Sequence, residues 1–337
     1  MKKLLIVYLM AILANNSFGQ SNDVDYSLEG LAKACAYYDE VSSFHEGLST
    51  VKKDGKYGFI NKKGELVIPR IPCKEYKYVG PFSEGLACVG WIEDDCSNRS
   101  GYIDVNGNMV VDLNTKYEVI GDFHDGLASV RTWEGKCGFI NKNGQEIIPC
   151  KYLHASDFSE GLAAVDFESS YDKSYNLVYK HSGYIDTNGN VVISSKKYRE
   201  IYGFHNGLAL VKRDYKAGYI DKSGMEVIPC SYSNASDFSE GLALTEIGGQ
   251  DGYYINIRGQ QVLKFSDIIS PKEDFHEGLA IVRYDKYNLY AYVNTSFKFV
   301  FYYFEDAKSF SEGLALVKKN GKWGFIDKNG KSTFDFK

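Results

Sequence analysis

The chain has 337 residues, 44% hydrophobic and 25% charged, with a formal net charge of −5. That mildly acidic balance, spread over the whole length, gives no reason to seek nucleic acid or an anionic membrane surface. Only 6 prolines and the lack of any low-complexity tract or linker point to one continuous folded array.

Lys2 and Lys3 precede an apolar run from Leu4 to Ala14, and Ser17-Phe18-Gly19 then offers small residues before Gln20. This is the pattern of a secretory signal peptide over residues 1–19, too short to span a bilayer. Its removal takes away Lys2 and Lys3, shifting the formal charge from −5 to −7. No cysteine stands near the cleavage point, so lipid anchoring is not expected, and no later stretch is long and apolar enough for a membrane span. The expected destination is the periplasm, the cell surface or the medium.

Residues 20–43 read as a partial repeat and residues 44–337 as an array of eight. Each unit opens with Phe, then His or Ser, then an acid or Asn, then Gly-Leu, at Phe44, Phe82, Phe123, Phe158, Phe204, Phe238, Phe275 and Phe310. Successive heads lie 34 to 46 residues apart, the period at which one supersecondary unit buries its face on the next. After the head comes a short apolar run, such as Leu48 to Lys53 or Leu314 to Lys319. It ends at Asp54-Gly55 or Asn320-Gly321, residues that accept the positive φ of a type I′ turn and send a second strand straight back.

The second strand carries an aromatic in every unit: Phe59, Tyr102, Phe139, Tyr184, Tyr219, Tyr254, Tyr292 and Phe325. Asp or Asn follows two residues later, and Gly three beyond it in seven units, which reads as an Asx-closed turn into a third strand. Each unit is therefore expected to be a three-stranded β-meander with a linker rich in Tyr and Asp. His follows the head Phe at 45, 124, 205 and 276, and Ser at 83, 159, 239 and 311, so the two alternate. The alternation suggests that a pair of units was the segment duplicated.

These residues resemble the WG repeat family, also called KWG repeats, whose signature stands as Trp323-Gly324 within GKWGFIDKNG. Six of the other units hold Tyr57, Ser100, Cys137, Ser182, Ala217 and Tyr290 at the Trp position. The resemblance runs from about Tyr38 to the end and implies a repeat fold used for binding or scaffolding. The expected architecture is all-β, an open β-solenoid or superhelix, with a closed β-propeller as the alternative. In that alternative the chain begins with the trailing half of a unit, which would let an N-terminal strand complete the last blade.

Of the seven cysteines, Cys73, Cys150 and Cys230 share one repeat position and read as small buried hydrophobes. Cys88 and Cys96 flank an excursion and are spaced to close a short loop, while Cys35 and Cys137 have no evident partner. Insertions at Gly90 to Ser100 and Asp166 to Ser182 replace the first tight turn and should emerge on one side. The four histidines are set too far apart along a solenoid for common ligation. The repeated acids Glu46, Glu84, Asp125, Glu160, Glu240, Glu277 and Glu312 are equivalent by construction, which suits turn chemistry better than the two unlike carboxylates of a glycosidase. DVNGN from Asp104 and DTNGN from Asp186 lack the twelfth-position Glu of a calcium loop.

No nucleophile, metal or cofactor motif is present, so no catalytic, metal or cofactor residue is named. The expected function is that of an exported, non-catalytic, monomeric scaffold holding a protein partner on an extended surface. The alternative is a cell-wall or carbohydrate binder stacking sugars on Trp91, Trp133, Tyr171, Tyr175 and Trp323.

Overall fold

The computed structural model describes residues 26–69, 76–92, 98–171, 177–248, 252–264 and 269–335. The signal-peptide pattern, Cys73 and Cys96 lie outside them. The described chain forms eight antiparallel sheets, seven of four strands and one of three, each with its strands in chain order across the sheet. Blade 5 shows the pattern, with strands Glu200–His205, Leu208–Arg213, Lys216–Asp221 and Glu226–Tyr232. The first strand of a blade packs on the inner strands of the blade before it, as Glu200–His205 does on the second strand of blade 4.

The open β-solenoid is not what the chain forms. Glu312 of blade 8 accepts from the Gly47 amide of blade 1 at 2.9 Å, and Ser311 Oγ donates to the Phe44 carbonyl. These contacts join the last repeat to the first and close the stack into a β-propeller. The three-strand unit is also corrected. What reads as a linker carries the first strand of the next blade, as short as Glu40–Val41 or Asn234–Ala235. The acid-Gly pair of each head is then a hairpin turn: Glu46 has φ 53° and Gly47 φ 79°, the two positive values of a type I′ turn.

The aromatic rows meet between blades. The slot aromatic of one blade packs on the head Phe of the next, as Tyr184 on Phe204 at 4.8 Å and Phe325 on Phe44 at 5.3 Å between ring centres. Both rows are buried along the whole ring. Where the slot residue is Tyr, its hydroxyl must find a partner. It donates to a backbone carbonyl in or just past the first strand of the next blade, as Tyr219 to Ser236 O and Tyr102 to Gly121 O, both at 2.6 Å.

The last blade departs from the pattern. After Asp306–Ala307, Leu314–Lys319 and Lys322–Asp327 comes a 3₁₀ turn, Thr333–Asp335, instead of a fourth strand. Helix α1, Leu28–Tyr37, packs there. Ser27 caps it by accepting from the Gly30 amide. Leu28, Leu31 and Ala34 form one apolar stripe that joins Phe44, Val51 and Ile60 of blade 1 to Leu314, Leu316 and Phe325 of blade 8. The N-terminal segment thus completes the last blade as a helix, where a strand was expected. Gly30 is required at the contact, since a Cβ there would lie 1.8 Å from the Lys63 carbonyl oxygen.

Candidate functional site: the central ring face

The eight head turns form a closed ring around the axis. In each, the acid or Asn side chain accepts from the Gly amide of the next head turn: Glu46 from Gly85, Glu84 from Gly126, Asp125 from Gly161, Glu160 from Gly207. The series continues with Asn206 from Gly241, Glu240 from Gly278, Glu277 from Gly313 and Glu312 from Gly47. Seven of these eight residues hold a left-handed backbone without being Gly or Asn, with φ from 52° to 54°. That conformation costs about 1 kcal/mol or more each, and the bond to the next turn offsets it.

Four lysines reinforce the ring from the Asx turns. Lys62, Lys142, Lys222 and Lys328 pair with Glu312, Glu84, Glu160 and Glu277 at 2.8 to 3.1 Å. Partial burial opposes ionisation of Glu84, Glu160 and Glu277. Their bonds to Gly amides and lysines more than offset it, holding these carboxyls below the usual range.

Beside each head turn stand the residue before the head Phe and the residue after it. Four of these preceding residues are aspartates. Three accept from the blade before: Asp122 from Cys88 Sγ at 3.0 Å, Asp157 from Ser129 Oγ at 2.7 Å, Asp274 from Ser236 Oγ at 2.6 Å. Asp237 differs. Its Oδ1 is buried without a hydrogen-bond partner among the described residues, and its Oδ2 lies 3.9 Å from His205 Nε2. Burial raises the pKa of both Asp237 and Asp274, against the opposing influence of His205 and His276. The histidines and serines alternate for a reason. Ser83, Ser159, Ser239 and Ser311 each donate to the carbonyl of the next blade's head Phe, whereas His45, His124, His205 and His276 stand exposed or half-exposed on the blades between. Among the described residues no three His, Cys, Asp or Glu side chains converge on a point that could hold a metal ion.

The aromatic candidates lie elsewhere. Turns between second and third strands, with both insertions, lie at the opposite end of the blades. Trp91 is 5% exposed and packs in the core with Phe82 and Ile103, so it cannot present its ring. Trp133 is 54% exposed, with its indole N–H on Thr115 O, and Trp323 is 36% exposed in another blade. Tyr171 ends the second strand of blade 4, and Tyr175 lies outside the described residues. Trp91, Trp133 and Trp323 stand in blades 2, 3 and 8, so the structure does not bring the three indoles together. Cys88 is a free thiol engaged with Asp122. Cys150 and Cys230 are half-buried against the core, and burial pushes the Cys150 thiol up to about 11.

Sequence reasoning took the head acids as local turn chemistry and missed that they link turns of neighbouring blades. The signal was there, in a Glu held where Asn or Gly is the easier residue. The four aspartates were missed because they occupy only half of the units.

The family model described as WG containing repeat matches residues 36–57, 57–90, 101–137, 138–169, 183–216, 218–250 and 290–323. The chain belongs to the WG-repeat family. Each full-length match runs from the outer strands of one blade into the inner strands of the next, so the WG repeat stitches two blades together and the blade is not its unit. No curated protein matches this WG-repeat chain. Among solved structures it is similar to a crystal structure of the eukaryotic initiation factor, with TM-score 0.57 and 10% identity over 96% of this chain and 90% of that one. BamB from Moraxella catarrhalis is matched with TM-score 0.48 and 8% identity over 87% and 94%. At such identities the first likeness is one of fold alone. No helix among the described residues of the WG-repeat chain is long and apolar enough to cross a membrane.

Proposed function

We propose that this protein is an exported, monomeric, non-catalytic binding module whose ring face receives a basic segment of a partner protein. The observation that carries the reading is charge placed on a rigid frame. Eleven carboxylates, seven from the head turns and four from Asp122, Asp157, Asp237 and Asp274, lie there, and among the described residues four of the head-turn acids are paired by lysine, which leaves seven carboxylates without a lysine partner. The hydrogen-bonded turns keep that charge in place before a partner arrives, so little ordering cost attends binding. Seven of the acids are already engaged with amides in equivalent settings, which suits recognition better than acid-base chemistry. The Lys-led leader at residues 1–19 supports export.

The test is a titration with a fluorescent oligolysine peptide at low and physiological salt. Saturable binding that weakens steeply with salt, and falls at least tenfold in an Asp237→Asn, Asp274→Asn double variant, is the expected result. Undiminished binding in that variant, or saturable binding of a neutral cell-wall glycan fragment in its place, rejects the proposal.

A further inference from the structure

Blade 8 differs from its sisters in what lies outside its third strand. The Asn320-Gly321 turn pairs Lys322 with Lys319 and Gly324 with Val317. The N–H and C=O of Trp323 and Phe325 therefore point outward, to where a fourth strand stands in the other seven blades. The Phe325 amide is satisfied there by Thr333 Oγ1 at 3.0 Å. For Trp323 no strand among the described residues pairs on that side. A groove of about 1120 Å³ opens beside it, between the C-terminal half of α1 and the blade edge, lined by Cys35, Tyr38, Val41, Leu316, Trp323 and Phe334.

The sister blades say what fits such an edge. The residues equivalent to Trp323 in blades 3, 5 and 7 are Cys137, Ala217 and Tyr290, paired with Tyr152, Tyr232 and Phe304 of the fourth strands. Each of those aromatics is buried. In blade 8 the equivalent aromatic is Tyr38, which α1 carries to the far wall of the groove instead of into the ladder. An exposed edge whose Trp323 N–H and C=O meet no strand among the described residues, beside a trough with an apolar floor and a charged rim of Glu29, Lys33, Asp39, Glu40, Lys308 and Lys322, is the setting in which an extended segment adds a strand.

We propose that this groove is a second docking site, distinct from the ring face, that takes an extended segment of a partner protein by strand addition. The segment runs antiparallel to Lys322–Gly324, since Phe325, Ile326 and Asp327 are already engaged by Thr333, Ser332 and Lys331; it exchanges backbone hydrogen bonds with Trp323 and seats an aromatic or large aliphatic side chain against Tyr38 and Phe334. The recognised chemistry is that of this protein's own fourth strands.

The probe is therefore a labelled peptide with the sequence of Glu226–Tyr232, serine replacing Cys230, added to the full chain. Expected are saturable binding, a change in Trp323 fluorescence, and slowed hydrogen exchange at the Trp323 amide. The same peptide N-methylated at the residue equivalent to Tyr232 is expected to bind at least tenfold more weakly. Equal binding of the methylated peptide, or no binding at millimolar concentration, overturns strand addition. A Trp323 amide already protected in the free monomer shows that the chain fills its own groove. A concentration-dependent dimer that the peptide dissociates makes a second copy the occupant. Either result overturns the partner assignment. Because the ring face is untouched by this peptide, failure here leaves the oligolysine experiment to stand on its own result.

Discussion

The junction between blades 4 and 5 is covalent, and the junction between blades 8 and 1 is not, yet the ring contacts at the two are the same. At the first, Ser159 donates to Phe204 O, Gly207 donates to Glu160, and Lys222 pairs with Glu160. At the second, Ser311 donates to Phe44 O, Gly47 donates to Glu312, and Lys62 pairs with Glu312. What differs lies outside the ring, where Glu200–His205 follows a complete fourth strand while blade 8 leans on α1. Closure thus uses no special device near the axis. It reuses the contacts made between blades 2 and 3 and between blades 4 and 5, and only the periphery needs a separate solution.

The largest test of that equivalence removes the aromatic pair at each junction. Phe204→Ala and Phe44→Ala should each cost about 3–5 kcal/mol in denaturant unfolding, since both rings are fully buried. Their local consequences should diverge. Hydrogen exchange in the Phe44 variant should quicken in α1 and in blades 8 and 1, where no peptide bond holds the halves together, while the Phe204 variant loosens its junction less. Identical exchange patterns would mean that α1 holds the open junction as firmly as the covalent linkage does.

A smaller effect belongs to the ring itself. Glu312→Ala and Glu160→Ala each leave a Gly amide and a lysine without their carboxylate, at about 1–2 kcal/mol. The two values should agree within about 0.5 kcal/mol if the junctions are equivalent. A much larger loss at Glu312, read from the unfolding midpoint, would show that ring closure depends on that one link.

The smallest effect is expected at the junction of blades 5 and 6. The Asp237 carboxyl is raised by burial and only partly relieved by His205. The folded protein therefore holds its proton more tightly than the unfolded chain does. Stability rises as pH falls through the raised value toward the ordinary aspartate range near ~4, and is reduced above it. Asp237→Asn should raise Tm by a few degrees at pH 7, with the gain shrinking toward pH 4. A Tm difference independent of pH would place the cause in packing instead.

Much of this could be read from residues alone. The eight heads, the aromatic slot and the Asn-Gly hairpin announce themselves because each rests on a local rule that recurs. The first strands did not, because Glu40–Val41 and Asn234–Ala235 pair through two residues and are flanked by the polar Ser and Asp of a linker. Helix α1 carries a legible signal, with Ser27 as cap and Leu28, Leu31 and Ala34 on one face, but it lies in the segment taken as a partial repeat. Ring closure was hidden for a deeper reason. Repeats specify the contact between neighbours, whereas open or closed depends on the rotation summed over eight of them. The ring-face aspartates were illegible because Asp122 and Asp157 become partners of Cys88 and Ser129 only once blades stand side by side.

The alternation of serine and histidine carries one more implication, about parity. Each Ser blade reaches forward to a Phe carbonyl on a His blade, so the ring has a four-fold order of paired blades and is eight-fold only in outline. An odd-membered ring would have to set two blades of the same kind side by side, with one Phe carbonyl unmet or one serine idle. Rings built on this scheme can gain or lose blades only two at a time.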